Sequence, residues 1–181
     1  MKSYTFRIVI DTKEDSFRDI EIGADDNFEV LNDLIIESYN FKGDQMTSFY
    51  MSDDNWDKGE EIALMDMGFG KSMKETLLSD MIKVPNQKIL YVYDFLKMWI
   101  FYVELIEENP KQTVDSIPAI LVSVGNSPKE EAKEIPNLLE GMTETSKSSE
   151  VDDFYSQYGD EFSEDFDEGF GSFENIDDLD I

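Results

Sequence analysis

Histidine and cysteine are both absent from this 181-residue sequence, and their absence narrows the chemistry open to it. Without imidazole there is no Ser–His or Cys–His dyad and no histidine metal ligand. Without thiols there is no thiolate nucleophile, disulfide or Cys-ligated zinc. Carboxylates, hydroxyls and aromatic rings remain. Asp53-x-Asn55-x-Asp57-Lys58-Gly59 opens like a calcium loop. That pattern needs glycine at its sixth position and a bidentate glutamate at its twelfth; here they are Lys58 and Leu64, so the stretch reads as a solvated acidic loop. Gly68-Phe69-Gly70-Lys71 lacks the remaining spacing of a phosphate loop. Asp94 is a carboxylate inside the most apolar stretch, Tyr91 to Leu105, where it interrupts the first of two apolar runs. It could be a catalytic acid with a shifted pKa, or a turn former accepting backbone N–H groups two or three residues on. We read it as the turn former. No residue is assigned a catalytic, cofactor-binding or metal-binding role, and no cofactor is expected.

The elements that position Asp94 follow from periodicity. Ile89, Tyr91, Tyr93 and Phe95 alternate with Leu90 and Val92; Trp99, Phe101, Val103 and Leu105 alternate with Ile100, Tyr102 and Ile106. Apolar residues on both faces mark two central strands, with Leu96, Lys97 and Met98 as their turn. Upstream, Tyr4 to Ile10 and Phe17 to Ile22 read as an antiparallel pair joined by a charged turn. A helix follows, its start expected at a capping box of Asp26 and Glu29. Its stripe is Phe28, Leu31, Leu34, Ile35 and Tyr39, and Asn40 suits the left-handed end. Met46 to Met51 is expected as a strand, Asp53 to Gly70 as a loop anchored by Trp56, and Met73 to Ile82 as a short helix. Ala119 to Val124 is the last strand, ended by Gly125-Asn126, and a further short helix is expected near Ile135 to Leu139. The predicted class is α+β: one mixed or antiparallel sheet of about five to six strands, one main helix on it, and a β-grasp-like opening order of strand, strand, helix, strand.

Charge divides the chain. The net charge is −27, from 42 acidic and 15 basic residues. That opposes phosphate-mediated nucleic-acid binding and anionic membrane surfaces, while a basic partner remains electrostatically allowed. No apolar leader and no membrane-length apolar run is seen, so a cytoplasmic protein is expected. Residues 143–181 hold 14 acidic residues and one lysine, with Phe154, Tyr155, Tyr158, Phe162, Phe166, Phe170 and Phe173 spaced among the carboxylates. Such a segment cannot bury enough surface to offset its ordering entropy alone. The expected organisation is an α+β domain over 1–128, a linker or short docked helix over 129–142, and a disordered acidic tail over 143–181.

Several motifs resemble the plasmid pRiA-type ORF-three-like family, also called insertion-element passenger TnpR-like proteins. Tyr91-x-Tyr93-Asp94-Phe95 with Trp99 four residues on is similar to the family's Y-x-Y-D-F-G-D-x-W-x-H. Phe17-Arg18-Asp19-Ile20 stands where the family has W-R-R-I, Asn40-Phe41 where it has G-W, and Gln45-Met46-Thr47-Ser48-Phe49 where it has H-L-H-x-F. The resemblance covers roughly Tyr4 to Pro128 and none of the tail. It implies a fold and an association with mobile elements, with Tyr91, Tyr93, Asp94, Phe95, Trp99, Phe17 and Arg18 as motif residues. Gln45, Thr47 and Phe101 replace the family's histidines, so any acid–base or metal site built from those is absent. The expected function is a non-enzymatic protein-interaction module whose tail takes a basic partner through Phe162, Phe166, Phe170 and Phe173. The alternative is a small-ligand binder or enzyme with a pocket beside the Tyr91–Trp99 hairpin.

Overall fold

A computed structural model describes residues 1–134 of the chain except 66, 67 and 69. The chain divides into two units, Met1–Pro136 and Asn137–Ile181, and the described residues lie in the first. Strands β1 (Ser3–Ile10) and β2 (Phe17–Gly23) form the opening antiparallel pair, in register from Ser3 opposite Gly23 to Val9 opposite Phe17. Helix α1 (Phe28–Tyr39) follows, then β3 (Thr47–Ser52), β4 (Lys58–Ala63), β5 (Lys71–Ser72) and the single-turn α2 (Leu78–Met81). Strands β6 (Lys88–Tyr93), β7 (Trp99–Asn109) and β8 (Ala119–Val124) precede a 3-10 turn at Glu130–Ala132. The strands make one eight-stranded sheet in the order β5-β4-β3-β6-β7-β1-β2-β8. Every pairing is antiparallel except β4 with β5.

The class is α+β, with the predicted opening order of strand, strand, helix, strand, but the sheet exceeds the five to six strands expected, and the β-grasp likeness ends with that order. Of the extra strands, β4 lies in the segment expected to be a loop and β5 just past its end. In β4 only Ile62 is fully buried, and Glu60 and Glu61 face solvent. Its strand conformation comes from pairing with β3 rather than from an apolar alternation of its own. The helix expected over 73–82 shrinks to Leu78–Met81. Thr76 turns back on the Ser72 carbonyl through its amide (3.1 Å) and its hydroxyl (2.7 Å), which ends the preceding segment as a turn.

Helix α1 buries Phe28, Leu31, Leu34, Ile35 and Tyr39 against the sheet, each such side chain contributing roughly 1.5–3 kcal/mol relative to exposure. Its N-cap is Asn27, not Asp26: Asn27 Oδ1 accepts the Val30 N–H at 3.1 Å. Asp26 is occupied one turn earlier, accepting the Gly23 N–H at 2.9 Å, so the capping box of Asp26 and Glu29 does not form. Asn40 takes the left-handed conformation (φ 62°) and closes the other end.

Strands β6 and β7 are the two central strands. On the α1 side, Tyr91, Phe101, Val103 and Leu105 join the main core with Phe6, Ile8, Ile20, Ile22 and Phe49. On the other side Tyr50, Leu90, Val92 and Ile100 are also buried, and Trp56 meets Tyr102 edge-on at 4.9 Å.

Candidate functional site

The turn between β6 and β7 is built by Asp94. Its φ of 59° lies in the left-handed region, which aspartate tolerates better than most residues. There its Oδ1 accepts the N–H groups of Leu96 (3.0 Å) and Lys97 (3.1 Å), while its own N–H donates to the Met46 carbonyl at 3.0 Å. The carboxylate is thus committed to holding four residues of backbone in one conformation.

Tyr93 and Trp99 face each other across the base of this hairpin. Phe41 packs between them, 5.2 Å from the Tyr93 ring and 5.3 Å from the Trp99 ring. The segment around the 3-10 turn straps over the group. Tyr93 Oη donates to Glu130 Oε1 at 2.8 Å, and the Lys42 N–H donates to Glu130 Oε2 at 2.8 Å. Lys42 Nζ pairs with Glu131, Lys97 Nζ donates to the Glu130 carbonyl, and Lys133 Nζ donates to the Met98 carbonyl from above the Trp99 ring. Burial pushes the Lys133 pKa down. Burial, then the hydrogen bond to Glu130, pushes the Tyr93 hydroxyl up. The Lys42–Glu131 hydrogen bond raises the lysine and lowers the glutamate.

A cavity of about 260 Å³ opens beside this hairpin, lined by Lys42, Asp44, Gln45, Asp94, Leu96, Lys97, Glu130 and Glu131. It is small and rimmed by charge, unlike the mostly apolar, 300–1,000 Å³ pockets that bury small molecules. Asp94, Glu130 and Glu131 already accept hydrogen bonds from the protein itself. Among the described residues no group of three or more carboxylates converges as a metal site would need. In the calcium-like loop, Asp53 Oδ1 accepts the N–H groups of Asn55 (2.9 Å) and Asp57 (3.0 Å), so it shapes its own turn.

Of the motif residues, Tyr93, Asp94 and Trp99 meet at the hairpin, with Phe95 half-buried in its turn. Tyr91 points under α1, where its hydroxyl donates to Asn32 Oδ1 at 2.8 Å; Thr47 Oγ1 donates to the same oxygen at 2.9 Å. Asn32 is a buried polar residue beside the apolar stripe of α1, and the helical spacing that places it there is its one signal in the sequence. Phe17 and Arg18 lie elsewhere, on the β8 side of the sheet. Phe17 stacks under the Arg7 guanidinium at 4.6 Å. Arg18 is buried over the Tyr39 ring and donates to neutral oxygens of Ser16, Phe17, Ser38, Val124 and Ser127. The three residues that replace the histidines of the family pattern do not form a site: Gln45 lines the cavity, Thr47 serves Asn32, and Phe101 packs against Tyr39 and Tyr91 at 5.2 and 5.4 Å. Phe162, Phe166, Phe170 and Phe173 lie outside the described residues.

Residues 2–170 match the sequence family described as plasmid pRiA4b ORF-3-like protein. The match runs well past Pro128, so the resemblance does not stop where the motifs did, and Phe162, Phe166 and Phe170 fall inside it. No curated protein matches the chain. The crystal structure of a protein of unknown function, MM3350, from Methanosarcina mazei Go1 has a similar fold. Its TM-score is 0.65 at 22% identity, over 89% of this chain and 92% of that one.

Proposed function

The chain belongs to the plasmid pRiA4b ORF-3-like protein family, and from that premise we propose that it acts as a protein-interaction module, with its acidic, aromatic C-terminal segment taking a basic partner. The observation that carries this reading is the disposition of the cations. Among the described residues Lys2, Arg7, Lys42 and Lys71 each pair with a carboxylate. Arg18 is spent on neutral acceptors, and Lys88, Lys97 and Lys133 donate to backbone carbonyls. With 42 acidic residues against 15 basic ones, the acidic excess has no internal counterpart, and its field attracts a lysine- or arginine-rich surface. The aromatic rings of residues 154–173 add apolar contact area to that attraction.

The test is binding of the full chain to a lysine-rich peptide, followed calorimetrically from about 0.05 to 0.5 M salt. Affinity falling steeply over that range is expected, because exposed charges are screened within about 10 Å at 0.1 M. No binding at the lower salt would overturn the reading. A second reading, a small-ligand site at the hairpin, is favoured by two observations: the cavity beside Asp94, and the indole N–H of Trp99, buried without an acceptor among the described residues. A soluble small molecule that shifts the amide resonances of Asp94 to Trp99 and raises the melting temperature would favour it.

A further inference from the structure

The two edges of the sheet are treated very differently. At one edge, β5 is only Lys71–Ser72, and its neighbour β4 carries Lys58, Glu60 and Glu61. Brevity and charge are the usual protections of an open edge. At the other edge, β8 has neither. It runs six residues, AILVSV, and pairs only with β2 among the described residues. Ile120, Leu121, Val122 and Val124 are each 38–42% exposed. From Ser116 to Pro128 the sequence carries no charge, the longest such run in a chain of net charge −27. A register shift in the β2 pairing leaves Leu121 without a partner on β2. The strand is nonetheless held firmly: Arg18 donates to the Val124 carbonyl and to Ser127 Oγ, and Gly125 packs so closely on Asp15 and Ser16 that a Cβ there would lie 2.2 Å from the Asp15 carbonyl oxygen.

We propose that β8 is a self-association edge, pairing antiparallel with β8 of a second copy about a two-fold axis. Such an axis brings the same strand of each copy together, so both open ladders are satisfied at once. Charge selects a second copy over a basic partner. Two strongly acidic molecules repel wherever their surfaces carry carboxylates, and the uncharged run at β8 is where they approach most cheaply. A lysine-rich partner gains no ion pair from this strand. The contact needs no tail residue, and it goes beyond the proposed binding of a basic partner. Their salt responses are opposite: self-association strengthens as salt screens repulsion between copies, whereas basic-partner binding weakens.

An interface built on one strand from each copy is small, so a dissociation constant of about 10–100 µM is expected. The experiment is sedimentation velocity of the full chain from about 5 to 500 µM, at about 0.05 and 0.5 M salt. A monomer–dimer equilibrium that tightens at the higher salt is expected. Val122→Lys and Leu121→Lys should each weaken it at least about tenfold. Since a lysine could also disturb the fold, hydrogen exchange of wild-type β8 amides supplies an independent readout: it should slow as protein concentration rises. A wild type that is monomeric at the highest concentration in both salts would overturn the proposal. So would a dimer indifferent to both lysine substitutions, or β8 exchange that is independent of concentration. Protection of β8 only on adding a lysine-flanked strand peptide would also overturn it, by assigning the edge to another partner.

Discussion

Arg18 Nη1 donates to the carbonyl oxygen of Val124 at 2.7 Å, joining the second strand of the sheet to the last across 106 residues of sequence. The same guanidinium reaches the Ser38 carbonyl at the end of α1 and lies 4.5 Å over the Tyr39 ring. No carboxylate faces it in this set. Its charge is balanced by carbonyl and hydroxyl dipoles, which its planar fork of donors fits better than an ammonium would. Arg18→Ala strands several of these acceptors and should cost about 2–4 kcal/mol. Arg18→Lys should recover only part of that. Urea denaturation of the three proteins checks the order.

Asp94 should prove structural. Asp94→Ala removes the acceptor for two turn N–H groups and should cost about 1–3 kcal/mol. Asp94→Asn keeps an acceptor oxygen and should cost less. Asp94→Gly removes the acceptor but also the left-handed strain at φ 59°, so it should fall between them. Equal melting temperatures for wild type and Asp94→Ala would remove this role.

Asn32, Tyr91 and Thr47 should behave as a unit. Asn32→Ala leaves two buried hydroxyls without their shared acceptor, at a cost of about 2–4 kcal/mol. Tyr91→Phe removes one of those donors and should partly rescue it. A double-mutant cycle in denaturant measures the coupling; strictly additive losses would show that the bonds act independently.

Glu21 should make stability depend on acid. It is fully buried and accepts from Ser3 Oγ and from both the N–H and the hydroxyl of Thr113. Burial alone would raise its pKa, but the hydrogen bonds from Ser3, Thr113 and Val114 together outweigh it and the net shift is downward. A carboxyl with a lower pKa folded than unfolded stabilises fully above its unfolded value, about 4.3 for glutamate. That stabilisation is lost as pH falls through the folded value. The stability gap between wild type and Glu21→Gln, from urea midpoints, should therefore be widest near neutral pH and narrow below about pH 4.

The aromatic residues beyond the described part bear on the basic-partner proposal. Replacing Phe162, Phe166, Phe170 and Phe173 with serine in the full chain should weaken binding of a lysine-rich peptide at every salt concentration, because apolar burial is not screened. Binding unchanged by the four substitutions would reduce the proposed recognition to charge alone.

What the sequence determined by itself was local and periodic. Two-sided apolar alternation identifies β6 and β7 as central strands, a 3.6-residue stripe identifies α1, and Asn40 marks its end. Each of these signals lies within a few consecutive residues and follows from which faces must be buried. The Tyr91–Trp99 motif likewise pointed to the family, although charge density hid how far the family sequence continues toward the C-terminus.

Tertiary structure decided everything that depends on a distant partner. The Asn27 cap is tied to the rest of the fold by its side-chain amide, which donates to the Lys74 carbonyl 47 residues away. Strand β4 exists because β3 offers it a ladder. Arg18, Asn32 and Glu21 are ordinary polar residues until the fold brings Val124, Tyr91 and Thr113 to them, at sequence separations of 106, 59 and 92. Their roles rest on desolvated hydrogen bonds whose partners no local pattern encodes.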